Sequence, residues 1–164
     1  MQCEKRMVFA MAHIEVSTII PFSRGEVFDY ACDPNNMPEI LKPNIDVIVE
    51  TPQIPLKKGS EFIFTMSRYG LSQRVTLRVE DYVRGSRLSY KQVNGLFATW
   101  NHVIRCEDHG GHETLLTDIV DYSVPMGLLG FLADDLFVKR DMEHILESRQ
   151  QVIQMYFSKD EPTS

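Results

Sequence analysis

Five residues carry polar or reactive groups where the chain otherwise reads as core: Trp100, His102, Asp118, Tyr122 and Arg149. A period of two puts Trp100, His102, Ile104 and Cys106 on one face of a strand, and Leu116, Asp118, Val120 and Tyr122 on one face of the next. Both faces are the more apolar choice, so both should point inward. With the connecting loop Asp108-His109-Gly110-Gly111-His112 centred on Gly110, His102 is expected opposite Asp118 and Trp100 opposite Val120. A buried His–Asp couple can position a proton or bind a polar ligand group. The plainer reading is a satisfied core pair, partnered by Trp100 and backbone. In an enzyme His102, Asp118 and Tyr122 would move protons, yet no nucleophile accompanies them, because Cys106 lies further along the face toward the loop.

Arg149 falls on the apolar stripe of a helix, between Ile145 and Val152. A buried guanidinium needs a carboxylate or several carbonyls. It would bind an anionic ligand head or, more plainly, pair with an acid of the sheet or helix, or reach the edge along its stem. His109 and His112 flank the glycine pair with Glu107, Asp108 and Glu113 nearby. A metal site needs three or four convergent ligands fixed by the fold, and a hairpin tip is exposed. No metal and no cofactor is expected.

The elements that must position these groups follow from periodicity. Residues 13–20 alternate and are β-branched, a first strand ended by Pro21. Ser23 and Glu26 form a capping box for a short helix through Val27, Phe28 and Ala31. Asp33-Pro34 starts a second, with Met37, Ile40 and Leu41 apolar, and Pro43 stops it. Strands are expected over 45–50, 60–68, 73–83, 87–93, 98–107 and 113–123, with turns at Tyr69-Gly70, Arg84-Gly85-Ser86 and the tight dipeptide Asn94-Gly95. Residues 125–157 form one long amphipathic helix, its stripe made by Phe131, Val138, Met142, Ile145, Val152 and Tyr156 and widened by Leu128, Leu132 and Leu136. Asp134, Asp135, Asp141, Glu143 and Glu147 read as its solvated face. The fold class is α+β: about seven antiparallel strands in a curved sheet whose concave face is covered by that helix. Residues 13–157 form the single domain, 1–12 a poorly ordered leader or start-site artefact, and 158–164 a disordered tail.

Composition narrows the function classes. The chain has 164 residues and a net charge of −6, with basic residues scattered, which argues against a nucleic-acid surface. No run of eighteen apolar residues exists to span a membrane. Cys3, Cys32 and Cys106 are odd in number and widely spaced, consistent with free thiols in a reducing cytoplasm.

The element order, with the pattern Trp100-x-His102, Asp118-x-Val120-x-Tyr122, Pro125-x-Gly127, Gly130 and later Arg149, resembles the SRPBCC superfamily. That group includes START-type lipid-transfer domains, birch-pollen-allergen-like proteins and polyketide cyclase/dehydrase-like proteins; the resemblance is to a small bacterial branch of the last. Pro21-Phe22-Ser23 leading into Glu26-Val27-Phe28 supports it. The resemblance implies a helix-grip fold with a hydrophobic cavity, but no one ligand.

The expected function is binding, or transport, of a small hydrophobic or amphipathic ligand between sheet and helix. Its lining would be Phe62, Phe64, Met66, Leu77, Tyr90, Trp100, His102, Val120, Tyr122, Phe131, Met142 and Arg149, with Met126-Gly127-Leu128-Leu129-Gly130 at the entrance. The alternative is an aromatase/cyclase- or dehydratase-like enzyme using the same cavity. A third reading is a protein-interaction module with a filled core and an exposed sheet face. Monomer and dimer both remain open.

Overall fold

A computed structural model describes residues 11–50, 55–125 and 135–159. The order is β1 (Ala12–Ile20), α1 (Arg24–Ala31), a 3-10 turn (Pro34–Asn36), α2 (Met37–Leu41), β2 (Asp46–Val49), β3 (Glu61–Arg68), β4 (Leu71–Val83), β5 (Arg87–Asn94), β6 (Thr99–Gly110), β7 (Glu113–Ser123) and α3 (Asp135–Ser158). β2 to β7 run as a meander of hairpins. β1 joins the far side of β7, so the sheet order is β1-β7-β6-β5-β4-β3-β2, with every neighbouring pair antiparallel. Register shifts in β4, between Thr76 and Leu77 and between Val79 and Asp81, mark where that strand bends. The result is the helix-grip fold: a curled sheet with a long terminal helix and two short helices after the first strand.

Alternation assigns the faces as expected. Phe62, Phe64, Val75, Leu77, Val79, Leu88, Ile104, Cys106, Leu116 and Val120 are buried on the concave side. The convex side carries cross-strand ion pairs such as Glu61–Arg78 and Glu50–Arg74. The short helices start as their sequences suggest. Asp33 accepts a hydrogen bond from the Asn35 backbone at 2.9 Å. At Ser23, however, the hydroxyl donates to the Glu26 carboxylate itself, not to a backbone group, so the capping box is not reciprocal.

The last hairpin corrects the expected register. Glu113 pairs with Gly110, and Gly111 and His112 alone make the turn, with φ of +56° and +65°. Two consecutive left-handed residues form the two-residue turn whose twist matches the strands. Its centre lies beyond Gly110, so His102 faces Val120, Trp100 faces Tyr122, and Asp118 faces Ile104. The slip is two residues, an even number, so His102 and Asp118 still share the inner face. Asn94-Gly95 is not a tight turn. Gly95 has no left-handed φ, and residues 95–98 form a longer loop in which Gln92 donates to the Phe97 carbonyl at 2.7 Å.

The helix also differs from expectation. Its buried residues are Val138, Ile145, Leu146, Arg149, Gln150, Ile153 and Phe157, whereas Leu136 and Tyr156 are exposed. The buried face rotates along α3 because its last turns lie against β1 and the short helices as well as the sheet. There Phe157 meets Phe22 at 4.8 Å between ring centroids, and Tyr156 stacks on Tyr30 at 3.8 Å. Asp141 is not on a solvated face, being four-fifths buried against Arg68 of β3. Residues 126–134, which include the expected entrance segment, Leu128, Phe131, Leu132 and Asp134, lie outside the described residues, as do residues 1–10 with Cys3, and 160–164.

Ile153 is fully buried in the main core cluster. Ile153→Ala should destabilise the protein by about 2–5 kcal/mol, read as a lower urea midpoint at unchanged slope.

Candidate functional site

Asp118 lies at the middle of β7 with no exposed surface. Four donor contacts reach its two oxygens. His102 Nε2 comes from the neighbouring strand at 2.7 Å. Arg149 Nη1 bonds both oxygens, at 2.9 and 2.7 Å. Gln150 Nε2 completes the set at 2.9 Å. Burial opposes the charge. The Arg149 guanidinium and the bonds from His102 and Gln150 outweigh that opposition and hold the carboxyl below its ordinary value. Arg149 answers in kind: burial disfavours its charge, but Asp118 more than compensates and the pKa is raised.

The protonation states follow. An ionised carboxylate only accepts, so His102 Nε2 carries the proton and donates. Burial lowers the His102 pKa despite Asp118, which leaves the ring neutral. Its Nδ1 is then a bare acceptor, and the Tyr90 hydroxyl at 2.6 Å donates to it. Tyr90 stays protonated because burial raises its pKa. The chain Tyr90–His102–Asp118–Arg149 thus has every proton placed and carries no net charge. Both ring nitrogens of His102 are engaged, so neither is free to bond a ligand.

The cluster also ties elements together. Arg149 Nη2 donates to the carbonyl of Ala31, the last residue of α1, at 2.9 Å. That carbonyl is one a helix end leaves without an internal partner. Gln150 also donates to Val16 of β1 at 2.9 Å, and Gln154, one turn later, donates to Ile19 at 3.2 Å. The two glutamines therefore bind the backbone of an edge strand.

The structure brings together His102, Asp118, Tyr90 and Arg149 from the residues singled out in the sequence. Trp100 stands beside them, its ring centroid 6.3 Å from that of His102, but it makes no bond to the pair. Tyr122 packs with Phe97 and Trp100 instead, in the second core cluster with Val120 and near Met142. Phe62, Phe64 and Leu77 are buried in the main cluster; Met66, Tyr90, Trp100 and Met142 pack on it while keeping part of their surface exposed. His109 and His112 are exposed at the β6–β7 turn, and among the described residues no three potential metal ligands converge. Burial pushes the Cys106 thiol up to about 12 and raises Cys32 as well, so both remain thiols rather than nucleophiles. A surface hollow of about 410 Å³ lies elsewhere, bounded by Phe28, Cys32, Pro34, Leu56 and Tyr82 among others, and no residue of the expected lining borders it. Sequence reasoning missed the roles of Gln150 and Gln154; their spacing of four puts them on one helix face, but polar residues beside an apolar stripe read as solvated. It also missed the Tyr90–His102 bond, because the β5–β6 register depends on a loop whose length its residues do not announce.

A curled antiparallel sheet gripping one terminal helix is the architecture of the SRPBCC superfamily. Within it, the sequence pattern of the family described as "Polyketide cyclase / dehydrase and lipid transport" matches residues 11–154, and the chain belongs to that family. Solved structures agree on the fold. TTHA0849 from Thermus thermophilus is 16% identical with a TM-score of 0.70, covering 92% of this chain and 100% of that one. A START superfamily protein from Mycobacterium smegmatis is 13% identical with a TM-score of 0.69, covering 90% of this chain and 97% of that one. The di-domain ARO/CYC StfQ from the steffimycin biosynthetic pathway is 10% identical with a TM-score of 0.72, covering 91% of this chain and 51% of that one. Among curated proteins none matches the chain in sequence.

Two outcomes follow from the cluster. Arg149→Met strands the Asp118 charge and should cost about 3–5 kcal/mol in a urea melt at neutral pH. His102 and Asp118 both titrate below their ordinary values of 6.5 and 3.8, so the unfolded chain takes up protons first. The stability they contribute is complete above about pH 6.5 and is lost on acidification, through His102 first. His102→Gln should flatten the fall in urea midpoint between about pH 7.5 and 5; an unchanged slope would mean other groups carry it.

Proposed function

We propose that the protein binds a small hydrophobic or amphipathic molecule between the concave face of the sheet and the first half of α3. The observation that carries this reading is the uneven burial of the inner face. At the end near α1, inward residues such as Cys106, Leu116 and Ile153 are sealed. Toward the other end Met66, Tyr90, Trp100 and Met142 keep accessible surface, although they point to the same side. Adaptable thioethers and aromatic rings with one polar tip suit an apolar ligand wall. Membership of a family described by lipid transport as well as by cyclase and dehydrase chemistry supports the same reading. The proposed lining is Phe64, Met66, Leu77, Tyr90, Trp100, Val120, Tyr122 and Met142. His102 and Arg149 are structural on this reading, since their donors and acceptors are taken up internally.

The second reading is a cyclase- or dehydratase-like enzyme. One feature favours it: the Tyr90 hydroxyl is backed by His102 and Asp118, a line along which His102 would accept the Tyr90 proton while the Asp118 carboxylate meets the charge that forms. The two buried thiols fit a reducing compartment, and we place the protein in the cytoplasm.

Trp100 is the sole tryptophan and stands at the proposed wall. Native mass spectrometry of the protein as purified should show a 1:1 adduct lost on organic extraction. Titrating the extracted protein with anilinonaphthalene sulfonate should then change Trp100 emission and saturate at one equivalent. Protein that shows no adduct and no saturable change does not bind as proposed.

A further inference from the structure

We propose that Arg68 anchors the carboxylate head of an amphipathic ligand, and that Asp141 occupies this anchor until such a ligand arrives. The inference rests on the binding reading above and specifies its ligand class. Arg68 is the last residue of β3, and its alternation with Phe62, Phe64 and Met66 puts it on the inner side. It stands immediately before the β3–β4 turn, whose residues Tyr69 and Gly70 have φ of +53° and +76°. Its guanidinium meets Asp141 of α3 as a fork: Nη2 donates to Oδ1 at 2.8 Å, and Nη1 donates to Oδ2. The two side chains retain 18% and 20% of their exposure. The Tyr69 ring lies 4.5 Å from the guanidinium carbon.

Three considerations single out this arginine. Arg149, the other inward one, is consumed by Asp118 and Ala31. Arg74 and Arg78 are paired with Glu50 and Glu61 on the opposite face. Arg68 is flanked by Met66 on its own strand, while Met142 adjoins Asp141; both are the partly exposed residues of the proposed wall. An amphipath whose tail lies along Met66 and Met142 therefore brings its head to Arg68. A carboxylate there reproduces both bonds that Asp141 makes, so a partly buried guanidinium is at no stage left uncompensated. A neutral head has nothing to exchange and would leave the Arg68–Asp141 pair closed.

The exchange has a second consequence. Elsewhere α3 is tied to β1, β7 and α1 through Arg149, Gln150 and Gln154. Among the described residues, the hydrogen bonds between α3 and the β2–β4 half of the sheet are those of Arg68 with Asp141. A ligand that takes Arg68 also removes this tie between α3 and β3.

The test compares dodecanoate with its methyl ester on extracted full-length protein at pH 7.5, by isothermal titration. Wild type should prefer the acid by about tenfold, the scale of hydrogen bonds to a charged group. Asp141→Asn removes the competing carboxylate and should raise the acid-to-ester ratio several-fold. Arg68→Gln should bring the ratio near one, and Arg68→Lys, which keeps the charge but not the fork, should fall between. Thermal melts check that each variant folds; if Arg68→Gln does not, Arg68→Lys and Asp141→Asn decide. If both probes bind wild type equally, or Asp141→Asn leaves the ratio unchanged, the anchor is wrong while ligand binding stands. If neither probe binds, the binding reading falls and takes the anchor with it.

Discussion

The buried charge of Asp118 is the constraint on which the rest of the fold depends. A carboxylate with no solvent contact is tolerated only if its oxygens are fully bonded and its charge is met nearby. Here the donors come from two elements far apart in sequence, β6 and α3. Arg149 and Gln150 are consecutive, so their side chains leave the helix about 100° apart and approach the carboxylate from two sides. Moving α3 by one turn, about 5.4 Å, would withdraw both at once. Apolar packing alone tolerates sliding and rotation; this cluster fixes the helix in one register on the sheet.

The same residues decide where the molecule is closed. Arg149 spends its second nitrogen on the end of α1, and Gln150 and Gln154 take up backbone of the edge strand β1. The sheet, the short helices and the last half of α3 are thereby held at one end, where Ile20, Leu116 and Ile153 lose all contact with solvent. The first described turns of α3 have no comparable polar cluster. Their apolar contacts run through Val138 and Met142 to Tyr122, Val120 and Trp100. A grip anchored at one end and lightly held at the other leaves the wall residues of the second end partly exposed. That asymmetry is the structural basis of the binding reading.

Much of this was legible in the residues. Strand alternation identified the inner faces of β3 to β7, because a half-wet sheet forces a period of two. It placed His102 and Asp118 together despite a register wrong by two residues, since an even slip preserves the face. Arg149, discordant on an apolar stripe, stood open between a ligand head, an acid of the sheet or helix, and the edge; its partner is Asp118 of the sheet. What escaped were interactions that depend on three-dimensional neighbours rather than on pattern. Asp141 reads as solvated, and nothing in the pattern marks Gln150 or Gln154; they are drawn inward by an arginine at a strand end and by an edge strand. Tyr156, expected on the buried stripe, is exposed while Phe157 is buried, because the short-helix segment with Tyr30, as well as β1, packs on that end of α3.

Among the described residues two ion pairs join α3 to the sheet, and they are built with opposite polarity and opposite burial. At the closed end the acid is on the sheet and the base on the helix, with Asp118 at 0% and Arg149 at 7% side-chain exposure. At the other end the base is on the sheet and the acid on the helix, with about a fifth of each side chain exposed. This difference decides what each pair can do. Separating Asp118 from Arg149 would strand two charges in a medium that stabilises neither, so that pair behaves as a permanent part of the core. Arg68 and Asp141 keep contact with water, and water can take up either partner as it leaves. Two Arg–Asp contacts eight residues apart on one helix thus serve different ends, because one lies where water is excluded and the other where it still reaches.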